Sequence, residues 1–355
     1  MQPATQQRII EALRQGGSLE GEPLRVPAAR YTDAAWLARE RPLFELPRIV
    51  AASSEIAPGG CLPIGTTLLV RDREGALRAF ANSCRHRGTR LVDAPCAAKA
   101  LVCPYHGWTY GLDGALLHVP HEAAFAGVDL ARRGLVERPA VAERAGLVWL
   151  GGDGAGDLAG DLEAIGLADH VLFRRAHATR RCNWKLVIEA FLDGYHVRFL
   201  HRDSVYRFFI DAASLAEPAG HHIRAVTARR ALRDSPPDAQ VRDLGTASYL
   251  VFPATIIIEH PDFVSIMQVA PEAPDVTVWD HLMLVPRARA GETEHWDKSW
   301  QLIEETVFQR EDLWVCEQIQ RGLAAGSEEL LFGTLEIGVR WFHDAIAAEL
   351  SKSSA

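Results

Sequence analysis

The sequence predicts an α+β protein: a small all-β domain, then a larger domain in which a curved antiparallel sheet meets a long C-terminal helix. Three observations predict it. Between residues 46 and 150 the chain reads as short β runs cut by Gly, Pro and charged turns. Between residues 222 and 286 longer β runs succeed one another, as antiparallel strands do. Over residues 296–323 the apolar period becomes helical, with Phe308, Val315 and Ile319 on one face.

Residues 1–16 form an amphipathic helix with Ile9, Ile10 and Leu13 on one side, ended by Gly16 and Gly17. A second helical stretch runs from Tyr31 to about Arg41. The β runs of the small domain are 47–51, 66–71, 77–82 and 100–103, with turns at 58–60 and 72–75, a hairpin at 110–114 and a closing strand at 146–150. Residues 151–156 with Ala159 imitate a G-x-G-x-x-A nucleotide fingerprint, but no βαβ unit surrounds them, so they read as a linker. The expected organisation is a helical segment 1–40 packed on the larger domain, a β domain 41–150, a linker 151–160 and a catalytic domain 161–355. In that domain a helix covers 183–201, strands cover 222–227, 248–258, 263–269 and 276–286, and a last helix over 334–350 buries Leu335, Val339, Phe342, Ile346 and Leu350.

With 355 residues the chain can bury two cores. A net charge of −8 gives no reason to expect nucleic acid or an anionic membrane as partner. The N-terminus has no signal-peptide core, and no apolar run approaches twenty residues, so nothing is expected to span a membrane. Of six cysteines, Cys61, Cys96, Cys182 and Cys316 are scattered and read as buried free thiols of a reducing compartment, so a cytoplasmic protein is expected.

The other two belong to the first chemical motif. Cys84-Arg-His86 and Cys103-Pro-Tyr-His106 are two compact pairs separated by sixteen residues. Structural zinc sites also use two Cys and two His, but their common spacings pair Cys with Cys and His with His. One of each per loop suits a [2Fe–2S] centre in which Cys holds one iron and His the other. Pro104 restricts the second loop and Gly107 lets chain pass close to the cluster. The pattern resembles the Rieske domain of the nonheme iron oxygenases.

The second motif is Asn183-Trp-Lys, Glu189 and Asp193-Gly-Tyr-His196-Val-Arg-Phe-Leu-His201. It resembles the iron-binding helix of the same family. That resemblance implies His196 and His201 as ligands of a mononuclear iron(II), Asp193 as the electron bridge, and Asn183 near the metal. Glu189, four residues before Asp193, is placed to hold it through a shared hydrogen-bond network. Asp193 and His196 share a helix face, but His196 and His201 are five apart and reach one ion only if the helix ends or widens. Such an iron takes two His and one carboxylate. The resemblance puts the carboxylate on the long C-terminal helix, where Asp312 lies on the apolar face, with Glu305 and Glu311 as rivals. Trp184, Tyr195 and Trp314 read as core.

The chain thus resembles the α subunit of a Rieske nonheme iron oxygenase, a ring-hydroxylating enzyme. The resemblance implies a Rieske β domain on a helix-grip catalytic domain, a homotrimer, a [2Fe–2S] cluster and a mononuclear Fe(II). With no flavin or nicotinamide site, electrons are expected from a ferredoxin or flavin reductase. The runs 249–258 and 263–269, rich in Ile, Val and Phe, are expected to line the pocket, which favours an apolar or aromatic substrate. The alternative is a monooxygenase or demethylase of a quaternary amine or methyl substrate, with Glu259 or Asp262 facing the cation. A redox-linked binding protein is a third reading, against which the ligand set argues, since a carrier needs no iron.

Overall fold

The computed structural model describes residues 1–16, 22–236 and 239–352. The chain divides into two compact units, Pro47–Gly154 and a discontinuous one made of Met1–Leu46 with Ala155–Ala355. Gly17 lies outside the described residues. No helix among the described residues is long and apolar enough to cross a membrane.

The small unit is all β. One sheet orders Val141–Arg144, Leu147–Leu150 and Arg48–Ala52, a second Leu77–Ala81, Thr67–Arg71, Gly60–Ile64 and Cys96–Ala97, and a third Leu101–Val102, Thr109–Tyr110 and Leu116–His118. Three of these strands escape the sequence pattern: Val141–Arg144, which carries two charges in four residues, and the pair Gly60–Ile64, which carries a Pro, and Cys96–Ala97, which has only two residues. That pair brings Cys61 opposite Cys96, with Cys61 buried and Cys96 exposed. The four non-cluster thiols are therefore neither all scattered nor all buried. Burial, and then Cys96, pushes the Cys61 thiol up to about 12.

The large unit is built on one seven-stranded antiparallel sheet. Its order is His170–Arg180, Val276–Pro286, Val264–Ala273, Thr255–Glu259, Gly245–Val251, His222–Arg229 and Phe209–Ala219. The single run expected at 248–258 is two strands, because Val251 pairs with Thr255 across a turn. The outer strands Phe209–Ala219 and His170–Arg180 were not expected. Both are half-exposed edges, rich in Ala and charge, with little apolar alternation to read. The N-terminal helix Pro3–Arg14 buries Ile9, Ile10 and Leu13, and Arg8 pairs with Glu217 on the edge strand.

The expected helix over 183–201 is two helices. Trp184–Leu192 ends at Asp193, whose backbone is extended, and a single turn Val197–Leu200 follows. Gly194 allows the break, since a Cβ there would collide with Ser214 Oγ. The long C-terminal helix is continuous but not uniform: Thr293–Trp300 and Leu313–Ala324 are α, and Gln301–Asp312 between them is π.

Candidate metal centres and substrate cavity

In the small unit, two loops of the same design carry the four cluster candidates. Each runs from a Cys to a glycine with positive φ, Gly88 (φ 77) or Gly107 (φ 71). The glycine N–H closes the turn onto the Cys carbonyl, at 2.9 Å for Cys84 and 3.0 Å for Cys103. Cys84 and Cys103 are buried, while His86 is half-buried and His106 exposed, with ring centroids 4.7 Å apart. Burial opposes the Cys103 thiolate, but the N–H groups of Tyr105 and His106 overcome it and lower its pKa. The Tyr110 hydroxyl lies 3.2 Å from Cys84 Sγ. Desolvation, then the charges of His106 and Arg87, lower the His86 pKa, which favours the neutral ring a metal requires. Its Nδ1 is buried without a hydrogen-bond partner. Two thiols inside and two imidazoles outside fit a [2Fe–2S] cluster held by Cys on one iron and His on the other.

In the large unit, ligand atoms of His196, His201 and Asp312 lie within 4.8 Å of one another. His196 and His201 flank the one-turn helix as its N-cap and C-cap, and their Nε2 atoms come to 3.2 Å. The helix break thus solves the five-residue spacing. Asp312 Oδ1 is 3.2 Å from His201 Nε2 and 3.6 Å from His196 Nε2. That oxygen is buried with no hydrogen-bond partner. Such a carboxylate is costly unless a cation accepts it, so the site fits a divalent metal with open positions.

The outer nitrogens of both rings are held. His196 Nδ1 donates to Asp193 Oδ2 at 3.0 Å, and Asp193 Oδ1 accepts from the Tyr195 N–H at 2.5 Å. His201 Nδ1 donates to Glu311 Oε2 at 2.7 Å, and Ser204 Oγ donates to the same oxygen. Burial opposes a charged His201, but Asp312 and then Glu311 outweigh it and raise its pKa to about 9. Neighbouring carboxylates on the π-helix therefore reach opposite sides of one imidazole. Glu311 serves His201 from outside the ligand set, and Glu305 is exposed.

Three other expectations need correction. Asn183 caps the helix Trp184–Leu192 and donates to the carbonyls of Pro274 and Tyr31. It stands ten residues, roughly 15 Å of helix, from Asp193. Glu189 does not hold Asp193; it accepts from the Tyr31 hydroxyl at 2.7 Å and lies 2.9 Å from His343 Nε2. Trp184 is buried, but Tyr195 and Trp314 are more than half exposed, at 52% and 51%.

The His196–His201–Asp312 group opens on a cavity of about 250 Å³. Of the runs expected to line it, 249–258 and 263–269, only Ile258 and Phe263 do so; Ser248, just before the first run, lines it as well. The apolar lining comes mainly from Phe191, Phe208, Phe209, Ile303, Val307 and Phe308. Glu259 and Asp262 do not line it. Glu259 faces Arg242 at 3.5 Å, and Asp262 faces His295 at 2.6 Å.

A family model of the ring hydroxylating alpha subunit, catalytic domain, matches residues 167–352, and one of the Rieske [2Fe-2S] domain matches residues 47–133. The chain belongs to the ring-hydroxylating oxygenase α-subunit family. As a Rieske oxygenase it uses a [2Fe–2S] cluster and a mononuclear iron. It is 26% identical to a chloroplastic choline monooxygenase of Beta vulgaris over 91% of this chain and 76% of that protein. It is 35% identical to the large oxygenase component of a naphthalene 1,2-dioxygenase system of Ralstonia sp over 40% of this chain and 35% of that protein. In fold it is similar to the quaternary ammonium Rieske monooxygenase CntA, with 20% identity, TM-score 0.79, and 92% and 94% of the chains covered. It is equally similar in sequence to naphthalene 1,2-dioxygenase from Rhodococcus sp., with 20% identity, TM-score 0.75, and 97% and 96% covered.

Proposed function

We propose that this Rieske oxygenase is a terminal component that takes electrons from a ferredoxin or flavin reductase and uses O2 to hydroxylate an apolar or aromatic small molecule. The observation that carries the reading is the convergence of His196, His201 and Asp312 on a cavity walled largely by Phe, Ile and Val. Cys84, Cys103, His86 and His106 would hold the cluster, and His196, His201 and Asp312 the iron. When bound, the cluster supplies single electrons and the mononuclear iron activates O2 beside the substrate.

The chain's own residues do the rest. Asp193 and Glu311 each fix an imidazole so that its Nε2 lone pair faces the ligand set. The phenylalanines bind an apolar body and exclude water from it. Asp193 also borders a groove lined by Phe199, Ile319 and Leu330, of which Phe199 and Ile319 are exposed. A second copy of the chain covers that groove in a homotrimer, and the exposed His106 of that copy donates to Asp193. For a quaternary ammonium Rieske monooxygenase of similar fold, inter-subunit electron transfer is described.

The near full-length similarity to choline monooxygenase favours a second reading, oxidation of a quaternary amine. A cationic head needs a free carboxylate or an aromatic cage. Among the described lining residues the carboxylates are Asp193 and Asp312, both already engaged at the metal site. The test is turnover by the reconstituted enzyme under isotopically labelled O2, offered naphthalene, indole and choline in parallel. Label in a hydroxylated arene supports the proposal; label appearing in the choline product alone overturns it.

A further inference from the structure

One charged side chain in the cavity lacks an opposite charge. Arg229 lines it at the end of the strand His222–Arg229. Its Nη2 donates to Thr246 Oγ1 at 3.1 Å, its Nε lies 3.3 Å from the same oxygen, and its guanidinium lies 5.6 Å from the Phe209 ring centroid. No carboxylate among the described residues comes within ion-pair distance of it. Asp262, the acidic group whose field it feels, is held by His295 at 2.6 Å and Arg289 at 3.7 Å. Arg229 is half-buried, and the two arginines that the chain buries more deeply are both paired. Arg71 makes a two-pronged pair with Glu143, and Arg224 is clamped by Asp161 and Glu217. An arginine taken from water without a counter-charge is costly, and a ligand anion removes the cost.

The surroundings give that anion its shape. Thr227, Thr246 and Ser248, on paired strands, line the cavity with Arg229 as its polar part, and phenylalanines supply much of the rest. With Nε and Nη2 turned toward Thr246, the Nη1 end of the fork remains for one planar acceptor, which suits a carboxylate. A phosphate dianion would call for a second cation, and Arg229 is the only Arg or Lys in the described lining. Thr227 abuts Gly194 beside Asp193, and Arg229 is two residues farther on the same strand face, about 7 Å. A small molecule gripped there at one end lays its body toward the triad.

We propose that the substrate is a small carboxylic acid with an apolar or aromatic body, and that Arg229 is the residue that selects it by binding the carboxylate. This rests on the oxygenase reading and narrows its substrate class. The test is anaerobic calorimetry on the holoenzyme with benzoate, phenylacetate and hexanoate, each against its neutral amide. Iron and cluster content are measured on the same samples. At least one acid binds about tenfold or more tighter than its amide, as a charge-assisted hydrogen bond requires. Arg229→Gln abolishes that preference, and Arg229→Lys restores part of it. Equal affinity for acid and amide, no measurable binding of any acid, or a preference that survives Arg229→Gln overturns the inference. Loss of iron or cluster from the wild-type protein would instead sink the oxygenase reading.

Discussion

Glu311→Gln keeps side-chain length and removes a charge, and its effect on metal affinity has two opposed parts. Glu311 Oε2 accepts from His201 Nδ1 and Ser204 Oγ, both at 2.7 Å, which leaves Nε2 free to face Asp312 Oδ1 at 3.2 Å. Weakening such a partner lowers metal affinity by about 10- to 100-fold, or about 1.4–2.7 kcal/mol. Glu311 also helps raise the His201 pKa to about 9. A folded-state pKa raised that far means His201 carries a proton at pH 7 that the metal must displace. Proton competition then weakens metal binding about tenfold for each unit below pH 9. The substitution relieves part of that competition, so its net cost is smaller at pH 7 than near pH 9. The assay is anaerobic Fe(II) competition against a chelator between pH 6.5 and 9. Wild-type affinity rises with pH across the window, and Glu311→Gln falls progressively further behind. Equal affinities at pH 9, or a wild-type affinity independent of pH, would refute the reasoning.

Further outcomes are expected elsewhere. Asp193→Asn retains both metals and the oligomer, and its cluster is reduced normally. Reoxidation with substrate and O2 slows by at least about tenfold in stopped flow, and wild-type reoxidation would remove Asp193 from the path. Lys185→Met strands Glu40, whose Oε2 accepts from Lys185 Nζ at 2.8 Å and Trp184 Nε1 at 3.0 Å, both acid and amine being almost fully buried. Denaturant unfolding should show a loss of about 3–5 kcal/mol, largely recovered by adding Glu40→Gln. A loss of less than about 1 kcal/mol in Lys185→Met contradicts a costly stranded carboxylate.

What the sequence made legible was local. Cys84 with His86, Cys103 with His106, and His196 with His201 are ligand pairs within one loop or turn, and their spacing carries the chemistry. Asp312 needed both the resemblance and an apolar face, and the face was only half right. The π stretch Gln301–Asp312 changes the residues per turn, so a 3.6-residue phase drawn from Phe308 put Ile319 inside, whereas it is 38% exposed. The same change puts Glu311 and Asp312 on two sides of His201, which an α phase does not suggest. Glu189 was misplaced because its partners, Tyr31 and His343, are more than 150 residues away in sequence. Cavity lining depends on strand register and on where each strand ends, so the apolar runs expected there contribute only Ile258 and Phe263. Arg229 gave no signal at all: a charge at a strand end reads as solvated surface, and only the folded chain turns it inward.

The most direct test of the account is the metal inventory of the purified protein and of Asp312→Ala. The account predicts a cluster of two irons with mixed Cys and His ligation, visible by EPR when reduced, plus one mononuclear iron per chain. Asp312→Ala should lose that single iron while the cluster spectrum stays as in wild type. Zinc bound tetrahedrally by Cys84, His86, Cys103 and His106, or full mononuclear iron in Asp312→Ala, would contradict it.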